Sequence, residues 1–97
     1  MALKNAQKRY LRGLTHGLNP VVMIAERGLA PSVLKEMEIA LDHHELIKVR
    51  ISAADRDARD ALVAEMLAAT NAELIHKIGH VVSIWRRNNA HPKIELP

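Results

Sequence analysis

Apolar residues recur along this chain in two rhythms, one of about 3.6 residues and one of about 2, and the changes between them mark seven elements. Between residues 3 and about 16, Leu3, Tyr10, Leu11 and Leu14 share one helical face, while Lys4, Lys8 and Arg12 follow at four-residue intervals on another. Gly13 weakens this helix near its end, and Gly17 is a natural stop. Val21-Val22-Met23-Ile24, mostly β-branched, follows Pro20 and predicts a short buried strand. A second helix runs from Pro31 to about residue 44, with Val33, Leu34, Met37, Ala40 and Leu41 as its apolar stripe and Glu36, Glu38 and Asp42 off it. Over residues 46–51, Ile47, Val49 and Ile51 face one side, and Leu46, Lys48 and Arg50 the other. Ser52-Ala53-Ala54-Asp55 then reads as a capping box with Asp where Glu is usual. It opens a helix to about residue 69 with Leu62, Val63, Met66 and Leu67 inward, and Thr70 and Asn71 break it.

Residues 72–78 and 81–86 form two strands around Gly79-His80, a type II′ hairpin turn with Gly at its first central position. Pairing Ile78 with Val81 sets His76 opposite Ser83 and Leu74 opposite Trp85. Apolar residues on both faces of these strands require both to be at least partly covered. The two later helices cover one side and the first helix part of the other. From Asn88 the chain is a polar tail, ordered only in part. The order predicts one α/β domain over residues 1–97, with a mixed sheet and its last two strands antiparallel.

Composition narrows the class. Ninety-seven residues suit one modest core, and 48% hydrophobic content excludes wholesale disorder. The chain has no cysteine, which excludes disulfides and thiolate metal sites. No apolar run spans a bilayer, and the first residues lack the apolar core of a signal peptide, so the expected location is cytoplasmic and no membrane partner is expected.

The layout of charge matters more than its net value of +3. Residues 1–25 carry Lys4, Lys8, Arg9 and Arg12 and no acid. Residues 26–80 carry seven bases and ten acids; residues 81–97 carry Arg86, Arg87 and Lys93 against Glu95. Basic ends around an acidic middle fit a polyanion partner, most simply nucleic acid, although a solvated basic face would look similar. A basic amphipathic helix can also lie on a membrane, but the apolar face of the first helix is narrow and suits packing on its own domain.

The stretch from Val21 to Val33 carries the most specific local chemistry. Gly28 tolerates a positive φ or close approach by another molecule, and Pro31 suits the first turn of a helix. Ala30 then stands at the N-cap with no capping side chain, leaving amide groups that can receive an anion. An ordinary strand-to-helix turn, with water or Ser32 at those amides, fits the same residues. Other clusters are weaker. Adjacent His43 and His44 point about 100° apart and cannot readily share an ion. Asp55, Asp57 and Asp60 are interleaved with Arg56 and Arg59, as on a solvated helix face. No nucleophile–base pair, metal-ligand set or phosphate-loop signature is present, so neither an enzyme nor a cofactor is expected.

The chain resembles the CRM domain family in its bacterial single-domain, YhbY-like form. The resemblance rests on residues 7–16 (Gln-Lys-Arg-Tyr-Leu-Arg-Gly-Leu-Thr-His), Leu18-Asn19-Pro20-Val21-Val22 and Arg27-Gly28-Leu29. It continues through Glu38, the run from Ala40 to Val49, Asp55-Arg56, the hairpin around Gly79-His80 and the closing Lys93-Ile94-Glu95-Leu96-Pro97. It implies a four-stranded mixed sheet with three helices, similar to the C-terminal domain of translation initiation factor 3, and RNA binding associated with precursors of the large ribosomal subunit. It also implies a GxxG loop that approaches a nucleic-acid backbone. Here that loop is Ala25-Glu26-Arg27-Gly28: the first glycine is replaced, and Glu26 puts a negative charge where phosphate would come.

The expected RNA-binding residues are therefore Lys4, Lys8, Arg9 and Arg12 on the first helix, Ala25, Glu26, Arg27 and Gly28 in the loop, and Lys48, Arg86 and Arg87. The expected partner is large-subunit ribosomal RNA or its precursor particle, bound by a monomer. The only aromatics of the Phe, Trp and Tyr class are Tyr10 and Trp85, both expected in the core, which favours backbone or shape recognition over a stacking platform. The alternative is a ribosome-associated adaptor whose basic face binds acidic protein.

Overall fold

The structure, a computed structural model, describes residues 3–25 and 27–97. Its elements are α1 (Asn5–Thr15), β1 (Pro20–Ile24), α2 (Pro31–His44), β2 (Leu46–Ile51), α3 (Arg56–Thr70), β3 (Glu73–Ile78) and β4 (Val81–Trp85). The sheet order is β1-β2-β4-β3, with β1 parallel to β2 and the other two pairings antiparallel. This is the compact α/β domain with a mixed sheet that the element order predicts.

Strand parity sorts the side chains into two cores. Val22, Ile24, Ile47, Val49, Ile51, Val82 and Ile84 point to the face covered by α2 and α3, where they meet Met37, Leu41, Val63 and Met66. On the other face Leu3 and Leu11 pack on Leu46, Ile75 and Trp85. Leu11 is wholly buried, and burying one such side chain contributes about 2 kcal/mol. Trp85 is core, as expected. Tyr10 and Leu14 are not: they are 44% and 37% exposed. Leu11 and Thr15, four residues apart, are the buried pair, which turns Tyr10 and Leu14 toward the rim. The buried Thr15 hydroxyl is satisfied by donating to Arg12 O at 2.6 Å.

Two helix ends differ in detail from the sequence reading, and the end of α2, which stands where expected, has an unusual backbone. α1 closes on short-range bonds from His16, Gly17 and Leu18 N–H to Gly13, Leu14 and Thr15 O, without a left-handed glycine. α3 is capped by Asp55, whose Oδ1 accepts from Ala58 N–H at 2.8 Å. Ser52, expected as the cap, lies too early, and its N–H instead donates to Ile24 O at 2.8 Å. α2 ends at Glu45, which has φ 63° and ψ −45°, a backbone conformation costly for a residue with a side chain.

The hairpin turns at Gly79, whose φ of +57° is the positive value that a type II′ turn requires at that position. His76 does oppose Ser83, but Leu74 opposes Ile84 and Glu73 opposes Trp85. The register shift lies between Leu74 and His76, so Ile75 is an extra residue in the strand, a β-bulge.

The tail is fastened rather than loosely ordered. The Glu45 carboxylate, with no exposed surface, accepts from Asn88 N–H at 2.7 Å and from Lys93 and Ile94 N–H at 2.8 and 2.7 Å. Arg87 approaches the same carboxylate at 3.5 Å, Ile94 and Leu96 pack on the Trp85 cluster, and Gln7 Nε2 donates to Pro97 O at 3.2 Å. Burial alone would raise the Glu45 pKa. The three backbone N–H groups, aided by Arg87, outweigh burial and hold it below the ordinary 4.5.

A depressed carboxylate pKa contributes stability above the unfolded-state value, lost as pH falls through the folded-state value. Acid titration should therefore release the tail below pH 4.5, seen as faster amide exchange at Asn88, Lys93 and Ile94. At neutral pH, Glu45→Ala should lower unfolding stability by about 3 kcal/mol, measured in urea, because several donors lose one acceptor.

Candidate nucleic-acid interface

α1 presents Lys4, Arg9 and Arg12 to solvent and Lys8 half-buried, with no acid in its first turn. Lys4, Lys8 and Arg12 form one row along the helix, and Arg9 lies about 100° around from Lys8. Lys4 is also the N-cap residue, its N–H donating to Gln7 Oε1 at 3.0 Å.

At the end of β1, Gly28 has φ +74° and its N–H donates to Ala25 O at 2.9 Å, closing a tight turn. A Cβ at Gly28 would meet Leu62 at an ordinary 3.6 Å, so the position needs glycine for its backbone angle and not for space. Ala25 and Arg27 are exposed; Glu26 lies outside the described residues. Pro31 opens α2 and Ala30 caps it without a side-chain bond, as its sequence predicts. The anion site is narrower than expected, because Val33 and Leu34 N–H both donate to Ala30 O and Ala30 N–H donates to Gly28 O.

Between α1 and this loop lies a half of the sheet that, among the described residues, no helix covers. Register puts Pro20 beside Lys48, Met23 beside Arg50 and Ile24 beside Ile51, so β1 leads along this face for about 13 Å toward the loop. Val21, Met23 and Ile78 are more than half exposed. At the α1 end the face sinks into a cleft of about 330 Å³, walled by Thr15 and His16 and floored by Pro20, Lys48, His76 and Val81. The His16 and His76 rings stand 6.5 Å apart at 66°. Partial burial, then the charges of Arg12, His16 and Lys48, hold the His76 pKa below its ordinary 6.5.

Lys48 therefore joins α1, but Arg86 and Arg87 do not. Arg86 pairs with Glu38 and Asp42 of α2 and donates to Thr70 O at 2.9 Å. Arg87 pairs with Glu45, donates to Ile94 O at 2.8 Å and lies 5.3 Å from the Trp85 ring centroid. Both are occupied inside the fold. Arg50, His16 and His76 belong to the face but were not among the expected binding residues. The signal for Arg50 was its shared strand parity with Lys48. Among the described residues, no group of three or more His, Asp or Glu is placed to hold a metal ion, and no helix is long and apolar enough to cross a membrane.

Comparison with known proteins decides the family. The model of the CRS1/YhbY (CRM) domain matches residues 3–86. The chain belongs to the CRM domain family. A Haemophilus influenzae protein named an RNA-binding protein is 43% identical over 98% of this chain and 95% of its own length. A probable RNA-binding protein of Pseudomonas aeruginosa is also 43% identical, over 91% of this chain and 85% of its own. The solution structure of a Staphylococcus aureus protein superimposes with a TM-score of 0.83 at 34% identity, covering 99% of this chain and all of the other. The CRM match spans α1, the Gly28 loop and the open sheet face, and stops at Arg86, before the tail that Glu45 holds.

Because the folded protein favours neutral His76, stability should fall as pH drops below 6.5 toward the folded-state pKa. Arg12→Ala should raise that pKa, read from the imidazole proton resonances. Arg86→Ala should cost about 1–2 kcal/mol in thermal or urea unfolding, since it strips partners from Glu38, Asp42 and Thr70 O.

Proposed function

We propose that this CRM protein binds RNA through one continuous face made of α1, the open half of the sheet with Lys48 and Arg50, and the Arg27-Gly28 loop, and that its target is RNA of the large ribosomal subunit or its precursor particle. The observation that carries the reading is the alignment of an acid-free basic helix with a basic, partly apolar sheet face leading to a glycine turn. Lysine and arginine displace condensed counterions from RNA, so a row such as Lys4-Lys8-Arg12 gives affinity without sequence preference. The names of the relatives support RNA as partner, and the ribosomal target rests on the resemblance to the YhbY-like form. Buried Trp85 leaves Tyr10 as the exposed ring on α1, which fits recognition of backbone and shape more than a stacking sheet.

The reading makes RNA binding stoichiometric and non-catalytic. Titrating large-subunit ribosomal RNA fragments by fluorescence anisotropy across a salt series should show affinity falling steeply with salt. Lys8→Ala with Arg12→Ala should reduce the log–log salt slope by about 2, and Arg27→Glu by at least about 1, with little change in melting temperature. Normal folding with unchanged binding at every salt concentration would refute this face and favour an adaptor that binds acidic protein. Crosslinking in extract followed by sequencing of the attached RNA tests the ribosomal target.

A further inference from the structure

The cleft between the last turn of α1 and the open sheet has features that phosphate contact alone does not need. Its volume of about 330 Å³ falls within the range of sites that enclose small molecules. Its lining mixes apolar surface, from Pro20, Ile78 and Val81, with the imidazoles of His16 and His76. Ser83, 2% exposed, and the exposed amide side chain of Asn19 put hydrogen-bonding groups beside that surface. Among the described residues no acid lines the cleft, whereas Lys48 does, and Arg12 is close enough to act on His76 electrostatically.

We infer that this cleft seats a single unpaired nucleotide of the bound RNA, its base against His76 and Val81 and its phosphate toward Lys48 and Arg12. The inference rests on the RNA reading above and deepens it. Charge complementarity selects the occupant: an anionic group is drawn to Lys48 and Arg12 with no carboxylate among the described lining residues to repel it, while the floor offers a planar apolar group a place out of water. A paired base cannot enter, because its faces are stacked and its edge is engaged; a base in a loop, bulge or single strand can. Histidine is one of the rings on which such bases stack. The cleft opens on the same face as the Lys4-Lys8-Arg12 row, so the strand that places a base here continues along cations at α1 or toward Met23 and Arg50.

The test uses the full chain with two probes, a single-stranded oligouridylate and an RNA duplex of equal length. In the parent protein, oligouridylate should shift the His76 imidazole and Ser83 amide resonances, and the duplex should leave them in place while shifting α1. His76→Ala should weaken oligouridylate binding about tenfold, the loss of one base stack, with the salt slope unchanged and duplex binding unaffected. The spectra of the parent need no variant, so misfolding of His76→Ala cannot mask the answer. Equal shifts from both RNAs, or the same shifts from polyglutamate, would overturn the nucleotide seat and leave a plain cationic patch. If large-subunit RNA still binds with a steep salt slope in that case, the function stands and only the seat fails. If the parent binds no RNA, both fall.

Discussion

One buried carboxylate fastens the C-terminal tail to the junction of α2 and β2. Glu45 ends α2, begins the turn into β2 and has no exposed surface, yet it remains ionised because three backbone N–H groups from the tail converge on it. Desolvation of an unpaired carboxylate would be prohibitive, so its burial and the docking of the tail are a single event. Docking brings Ile94 and Leu96 onto the Trp85 cluster and places Arg87 over the indole. That completes the smaller core beneath α1, and α1 carries the basic row. The positive φ at Glu45 shows that the backbone yields to this arrangement.

The division of the sheet into a covered and an open half follows from the same economy. α1 spans 11 residues and buries mainly Leu11 and Thr15 along its length, enough to cover Leu46, Ile75 and Trp85 but not Lys48 or Val81. α2 and α3 saturate the opposite face, so the remaining half is left to solvent or to a partner. Its exposed Val21, Met23 and Ile78 would be poor choices for a surface with no occupant. Lys48 and Arg50 place two cations among these apolar side chains.

Much of this was legible in the sequence, wherever the signal was local. Alternation through Ile47, Val49 and Ile51, Pro31 at a helix start and Gly79 in a turn each reflect chemistry within a few residues, and the elements stand where those signals put them. The misses involve distant partners. Glu45 sits beside two histidines at a helix end and looks solvated, because its donors at 88, 93 and 94 are more than forty residues away. Arg86 looks like a free basic end until α2 brings Glu38 and Asp42 beside it; those acids, four apart, were the available hint. Tyr10 was misplaced because an aromatic on an apolar stripe ordinarily packs inward, while helix rotation here gives that place to Leu11. In the candidate site, the cations of α1 and the Gly28 turn could be read from the chain, whereas the cleft, made by His16 meeting His76, exists only after folding.

The bulge at Ile75 divides β3 into two frames. Before it, Leu74 points toward α2 and α3; after it, Lys77 does, reaching Asp60. The extra residue lets neighbours Ile75 and His76 face the same way, one closing the core under α1 and the other lining the cleft. Without that added count, a strand whose residues alternate would have to choose between hydrophobic closure and an imidazole on the open face. A single-residue deletion in β3 would thus be read differently according to where the pairing absorbed it: loss of the bulge keeps the hairpin register but removes either the plug or the ring. A residue left over in the hydrogen-bond ladder is what lets one short strand both close a core and line a cleft.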